Sequence, residues 1–365
     1  MNEPAHNESG VYLAIECGRK EWKLALGDGK AERQVTISAG DVKGLARHLG
    51  RAKERFGLPA DARVYSCYEA GRDGFWIHRM LTGLGVTNVV VDPASIEVQR
   101  RGKRVKTDRL DARKLLTMLR RYWVYGERKT WRVLHVPDED QEDARRPSRE
   151  RERLTKERTG HRARIRSLLA LHGRHDGKLP GCADEVRDWK GAALPAAVAA
   201  EIDRELERLR MVEVQIRRID GEWKAADESP SMAKAKKLAR VKGVGAQTGW
   251  MLAHEFLWRT FRNRREVGAA SGLVGCPYDS GESRVEQGIS KAGNARVRAT
   301  MTELAWRWLM FQPQSELARW YQRRFGAGSG RMRRIGIVAL ARKLLVALWK
   351  YVEFDEVPVE AIVKA

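Results

Sequence analysis

A chain of 365 residues is long enough for two or three domains with cores of their own; it carries 70 lysines and arginines against 48 aspartates and glutamates, a formal charge of +22. An excess of that size points to a polyanionic partner through electrostatic steering and counterion release. It speaks against a membrane protein, because no apolar run approaches the ~20 residues needed to span a bilayer, and the polar residues 1–10 do not read as a secretory signal. Cys17, Cys67, Cys182 and Cys276 are scattered without CxxC spacing, which disfavours zinc and a disulfide framework and fits a reducing cytoplasm.

The first part of the chain, to about residue 130, reads as α/β. Residues 11–15 are a short apolar run, and residues 22–26 alternate as a hairpin partner to it does. Asp41 is placed to cap a helix reaching about Phe56, with Val42, Leu45, Ala46 and Leu49 along one face. A strand is expected at 64–68, a helix at about 74–84, and a buried strand at 86–91 stopped by Asp92-Pro93. A further helix starts near Asp108 and runs to about Tyr122. Strands and helices alternating at this length predict a sheet covered by helices.

The chain then changes character. Residues 138–143 are expected to form an acidic loop closed by Arg145-Arg146-Pro147. Residues 148–166 form a helix with arginines on every face, a pattern that belongs to a solvated helix or to one docked on a charged partner. The global charge favours nucleic acid as that partner. A second helix, 196–223, carries Val198, Ile202, Leu206, Leu209, Val212, Ile216, Ile219 and Trp223 at steps of three and four, a coiled-coil-like seam. Its partner is either residues 165–171 of the same chain or a second protomer.

From Pro230 the chain reads as a separate helical domain. Residues 238–248, with Lys242-Gly243-Val244-Gly245 at their centre, resemble a helix-hairpin-helix turn, which presents backbone N–H groups to phosphate. A plain helix–helix corner is the alternative. A loop rich in Gly, Ser and Pro is expected over 271–283, and helices over 294–310 and 331–351. The last of these opens on Arg331-Met332-Arg333-Arg334, a candidate for contact with a nucleic-acid backbone.

Asp108 and Asp111 lie in the most positive short stretch of the chain, which runs from Arg100 and Arg101 through Lys103, Arg104 and Lys106 to Lys114. Carboxylates three residues apart at a helix start can share a divalent cation. The plainer reading pairs them with neighbouring arginines, and the segment alone leaves the two in balance. Glu16 ends the first strand and Glu69 follows the strand at 64–68, so four acids fall where sites assemble in α/β sheets. Hard oxygen ligands of this kind suit Mg²⁺ or Mn²⁺. A second candidate is Ser280, next to Gly281, with Arg284, Lys291, Asn294, Arg296 and Arg298 downstream. Those arginines can hold a phosphate and stabilise transition-state charge, whereas a turn hydrogen bond is the ordinary role of a loop serine.

Several segments agree in order and spacing with one family. They are Ile15-Glu16-Cys17-Gly18-Arg19-Lys20, Tyr68-Glu69-Ala70-Gly71, Val91-Asp92-Pro93 and Lys106-Thr107-Asp108-Arg109-Leu110-Asp111-Ala112. Val244-Gly245, Gly272-Leu273-Val274-Gly275, Ser280-Gly281, Ile289-Ser290-Lys291-Ala292-Gly293-Asn294 and Arg298 follow in the C-terminal half. The chain resembles the transposases of the IS one-ten family of insertion sequences, the bridge-RNA-guided recombinases. The resemblance implies a fold of class α/β plus α. Its parts are a RuvC-like (RNase H-like) mixed-sheet domain at 1–135, a basic helical, coiled-coil linker at 136–230, and a mainly helical C-terminal transposase domain at 231–365.

It also implies that Glu16, Glu69, Asp108 and Asp111 are a metal-binding tetrad for Mg²⁺ (or Mn²⁺), and that Ser280 attacks the DNA phosphate. Arg100, Arg101, Lys103, Arg104, Lys106, Arg284, Lys291, Asn294 and Arg298 are the expected nucleic-acid contacts. The expected partners are donor and target DNA, a structured guide (bridge) RNA that selects them by base pairing, and further copies of the chain in a dimer or tetramer. In such an assembly the site joins the RuvC-like domain of one protomer to the serine of another. Two departures from the family pattern stand out. The first acid, usually aspartate, is Glu16 here, and the proline after Gly-Leu-Val is displaced to Pro277. Ser283 and Ser290 are alternative nucleophiles, because a loop alignment can slip. Two other functions fit the residues: a junction-resolving or repair nuclease using metal-activated water, and a non-catalytic protein that bridges DNA and RNA. A cytoplasmic location is expected.

Overall fold

The computed structural model describes residues 10–96, 108–225, 229–280 and 283–364, with side chains at 108–110 and 278–286 outside the description. The chain divides into two compact units, Met1–Asp138 and Glu139–Ala365. The anticipated basic stretch Arg100, Arg101, Lys103, Arg104 and Lys106 lies outside the described residues.

In the first unit, strands β1 (Gly10–Cys17), β2 (Glu21–Gly27) and β3 (Glu32–Ser38) form an antiparallel meander. Helix α1 (Val42–Arg55) leads to β4 (Arg63–Glu69), helix α2 (Trp76–Gly83) leads to β5 (Thr87–Val91), and both strands run parallel to β1. The order across the sheet is β3-β2-β1-β4-β5. The expected cap is present: Asp41 Oδ1 accepts from the Gly44 amide at 2.8 Å at the start of α1. β3 was not anticipated, because this edge strand is polar along most of its length and buries only Ile37.

Period-2 alternation divides the two faces of the sheet. Val11, Leu13 and Ile15 pack with Leu45, Ile77 and Leu81 of α1 and α2. Tyr12, Ala14, Tyr65 and Cys67 point the other way, against Ala112, Leu115, Leu116 and Leu119 of α3 (Asp108–Trp123).

The second unit begins with a correction: the acidic stretch expected as a loop contains a short helix, α4 (Glu139–Asp143). Acidic side chains in a first turn favour the positive end of the helix dipole, which offsets their mutual repulsion. Helices α5 (Arg146–Leu171) and α6 (Ala196–Ala225) then pack along each other. Ile165 and Leu169 meet Ile202, Leu206 and Leu209, and Leu154 meets Val212, Ile216 and Ile219. The partner of the apolar seam is therefore a segment of the same chain, longer than residues 165–171. Many α5 arginines find acids inside the unit: Arg151 bonds Asp220, Arg162 bonds Glu213, and Arg164 bonds Glu205.

Helices α7 (Pro230–Arg240) and α8 (Ala246–Glu255) flank the Gly243–Gly245 turn, and α9 (Arg264–Ser271) follows. The region expected as an irregular loop is a β-hairpin, β6 (Gly275–Ser280) and β7 (Ser283–Ile289). Cys276, Tyr278, Val285 and Ile289 supply strand-forming side chains within a Gly- and Ser-rich composition. Pro277 sits beside a register irregularity, where a missing amide is tolerated. Helices α10 (Ala295–Phe311), α11 (Glu316–Tyr321) and α12 (Gly330–Phe354) complete the unit, with a π-helical turn at Gln322–Gly326. Its core gathers Ile337, Leu340, Leu344 and Leu348 of α12 around Phe256, Met301 and Trp308. Among the described residues no helix is long and apolar enough to cross a membrane.

Candidate functional site

Glu16 and Glu69 occupy neighbouring positions at the ends of parallel strands, one residue past the Ile15–Tyr68 pair. Alternation places both on the α3 face, in sequence with Tyr12 and Ala14 on β1 and with Tyr65 and Cys67 on β4. The direction of α3 follows from its anchors. Cys67 Sγ donates to Leu115 O at 3.8 Å, Tyr65 packs on Trp123 with ring centroids 4.9 Å apart, and Arg120 donates to Gly29 O at 2.8 Å. The helix thus runs antiparallel to β1 and β4. Its first turn, with Asp108 and Asp111, lies towards the strand ends that carry Glu16 and Glu69. Asp111 falls four residues before Leu115, on the row that faces the sheet, and Asp108 is the first residue of the helix.

The electrostatics of Cys17 report on the same corner. Burial pushes its thiol up to about 12, with Asp73, Glu16 and Glu69 adding to the shift and Arg72 opposing it. By alternation Cys17 packs towards the α1 and α2 face, and Cys67, on the α3 face, is buried with its thiol turned to Leu115 O. This leaves the oxygens of Glu16 and Glu69 at the strand ends, a donor type that suits Mg²⁺. Among the described residues no group of three His, Cys, Asp or Glu is close enough to hold a metal ion, and the Asp108 side chain is not among them. Arg113 finds its acid in Glu32, at 3.1 Å.

In the second unit, Ser280 is the last residue of β6 and pairs with Ser283, so two residues join the strands. Its distance along the strand from Gly275 is about 17 Å. The root of this hairpin is closely tied. The amides of Ser290 and Lys291 donate to Val274 O (2.8 Å) and Gly272 O (3.1 Å), and that of Asn294 donates to Ala270 O (3.2 Å). Gly272 (φ +70°) and Gly293 (φ +145°) admit this approach: a Cβ on Gly293 would lie 2.3 Å from Ala270 O. Lys291, also with positive φ (55°), is exposed at the root. Arg298 Nη1 donates to Ser271 O (3.4 Å) and Lys291 O (3.1 Å), and the Asn294 side chain caps α10 by accepting from Arg296 and Val297 amides. Arg284 and Ser283 belong to β7, while Ser290 follows its last residue.

Below the hairpin root lies a buried charge. Glu255, 1% exposed, accepts from Arg149 Nε and Nη2 (2.6 and 2.9 Å), from Arg296 Nη1 (2.5 Å) and from Asn294 Nδ2 (3.4 Å). Burial alone raises a carboxyl pKa; the Arg149 hydrogen bonds and the charges of Arg149, Arg296 and Arg145 outweigh it and hold Glu255 below its usual range. Arg296 also bonds Glu152 (2.7 Å), so one acid ties α5, α8 and the start of α10 together.

Residues 235–320, which include the hairpin and its root, match the family model described as "Transposase IS116/IS110/IS902 family". Over nearly the whole chain, 97% of it and 94% of the relative, it is 38% identical to a candidate transposase, y4rJ, of Sinorhizobium fredii. The chain belongs to the IS116/IS110/IS902 transposase family. A second Sinorhizobium fredii protein, the candidate transposase y4qE, is 32% identical over 81% of this transposase and 71% of its own length. The transposase for insertion sequence element IS1533 of Leptospira borgpetersenii is 32% identical over 29% of each chain. The substrate of this transposase is accordingly DNA.

Two residues near these sites escaped the reading of the sequence. Asp73 joins the acids around Cys17, and its only signal was proximity to Glu69 in the chain. Glu255 had a clearer one: a carboxylate at the end of the apolar run Trp250-Met251-Leu252-Ala253.

Proposed function

We propose that this transposase cuts and rejoins donor and target DNA by phosphoryl transfer, with Glu16, Glu69, Asp108 and Asp111 holding Mg²⁺ (or Mn²⁺) and Ser280 as the nucleophile. The observation that supports this most is the convergence of Glu16, Glu69 and the first turn of α3 on one face, at one end of the sheet. The sheet itself, a three-stranded meander continued by parallel strands through helices, supports the RuvC-like reading. When bound, the ion offsets charge on the attacked phosphate and the departing oxygen.

In this reading Ser280 Oγ attacks phosphorus as its proton passes to a neighbouring base or water. The P–O bond to the departing strand breaks, and that strand leaves with a hydroxyl group. A hydroxyl of a partner strand then attacks the phosphoserine, forming the new strand junction and returning Ser280 to its free state. The exposure of Lys291 supports a role for it in meeting a phosphate, while Asn294 and Arg298 hold the hairpin root through their hydrogen bonds. A guide RNA and a dimer or tetramer belong to the same reading and are supported by the motif resemblance.

The test is a nicked or suicide DNA substrate with Mg²⁺, probed for a covalent protein–DNA adduct in the native chain, Ser280→Ala and Asp108→Ala. The adduct should form only in the native chain. Free DNA ends without an adduct would replace this reading with a nuclease using activated water. Binding without any Mg²⁺-dependent reaction would leave a bridging protein.

A further inference from the structure

We propose that the corner between α11 and α12 is a docking surface for the phosphate backbone of duplex DNA, built from Arg323, Arg324, Arg331, Arg333 and Arg334. All five are exposed, and among the described residues none has a carboxylate partner. Arg333 donates to the carbonyl of Gly328 (3.1 Å), and Arg324 lies over the Phe325 ring (5.9 Å). Some exposed arginines elsewhere in the same unit are neutralised locally, Arg162 by Glu213, Arg218 by Glu222 and Arg262 by Glu266; others, such as Arg153 and Arg217, stand singly among the described residues, whereas these five are gathered at one corner.

The fold, not the sequence spacing, makes these five one patch. Tyr321 and Phe325 point into the core and leave residues 322–324 outside across the π-helical turn. The chain then doubles back: Tyr321 Oη donates to Arg333 O (3.2 Å), and Phe325 packs so closely on Gly336 that a Cβ there would lie 2.5 Å from its ring. Residues 331–335 are all exposed. Five consecutive exposed residues cover more than a full helical turn, so the start of α12 presents side chains to solvent around its circumference while the Tyr321 and Gly328 contacts anchor it. Like charges gathered this way repel one another in the free protein, and a polyanion relieves that repulsion while releasing its own counterions. Duplex DNA is the polyanion that family membership places among the substrates. The proposal is independent of the tetrad and of Ser280.

The full chain with all five arginines changed to Gln is compared with the native chain for binding to labelled duplex DNA of arbitrary sequence, between about 50 and 200 mM salt. A control carries Arg162→Gln, Arg218→Gln and Arg262→Gln. The slope of log K against log salt should flatten by about 0.9 for each phosphate no longer neutralised, up to about 4.5, with affinity at the lowest salt falling at least tenfold. The control should hold its slope to within about 1. If the five-fold variant does not fold, the doubles Arg323→Gln/Arg324→Gln and Arg331→Gln/Arg334→Gln carry the same test, at up to about 1.8 each. An unchanged slope, an equal loss in the control, or a loss confined to a structured RNA hairpin would each overturn the proposal.

Discussion

Removing the Glu255 carboxylate should destabilise the second unit far more than removing any surface acid. Its oxygens accept three guanidinium hydrogen bonds at 2.5 to 2.9 Å while Glu255 itself is 1% exposed. In Glu255→Ala the charges of Arg149, Arg296 and Arg145 lose their shared buried counter-charge, with Arg296 retaining Glu152. Breaking a buried pair from one side costs about 3–5 kcal/mol. The side chains of Arg149 and Arg296 are 47% and 26% exposed and can swing towards water, which favours the lower end of that range. In a unit of this size about 1 kcal/mol moves Tm by about 2–4 °C, so a loss of about 3 kcal/mol lowers it by about 6–12 °C. Glu255→Gln should rescue little, because its amide would turn a donor towards guanidinium donors. Glu222→Ala, which breaks an exposed pair with Arg218 (81% and 57% exposed side chains for Arg218 and Glu222), should cost under about 1 kcal/mol. Thermal unfolding followed by circular dichroism decides the matter: equal Tm changes in Glu255→Ala and Glu222→Ala would refute the reasoning.

Gly293→Ala combines a positive φ with a Cβ 2.3 Å from the Ala270 carbonyl oxygen, a backbone atom that cannot step aside. Overpacking of this kind costs about 1–3 kcal/mol, and urea denaturation should show it, together with faster proteolysis of the hairpin. Ile165→Ala, at a position with no exposure, should cost about 2–5 kcal/mol and open the α5–α6 pair to protease; a change under about 1 kcal/mol would contradict the assigned packing. Acid should weaken the second unit in two stages. Burial holds His254 below its ordinary 6.5 although the Trp250 carbonyl bond opposes it, so the unfolded chain takes up a proton first and stability falls as pH drops through 6.5. Glu255 and Glu205 are both held below 4.5 despite burial; their contribution is complete above 4.5 and declines as pH falls further, so a Tm that rises below pH 4.5 would be inconsistent with it.

Local chemistry alone determined much of this protein. Asp41 announced the start of α1, the alternation around Trp22 announced β2, and the three- and four-residue steps from Val198 to Trp223 announced α6. The motif residues pointed to the transposase family before any geometry was known, because a conformation such as that of Gly293 restricts which residue can occupy it. What depended on distant partners was not legible. Edge strand β3 hides its one buried residue among polar ones, and the hairpin bearing Ser280 has the composition of a loop. The seam of α6 could not name its partner, since any apolar stripe of that period would serve, and only the packed chain assigned it to α5. Parallel register and the direction of α3 likewise brought Glu16 and Glu69 to the same strand ends as the first turn of the helix. Arg149, Arg151, Arg162 and Arg164 of α5 found acids from α6 and α8 that spacing along the chain did not announce, whereas the arginines at 323–334 kept no acid at all among the described residues. Spacing along a chain sets which face a side chain occupies; whether a charge is neutralised inside the molecule or left for a partner is settled by the elements folded against it.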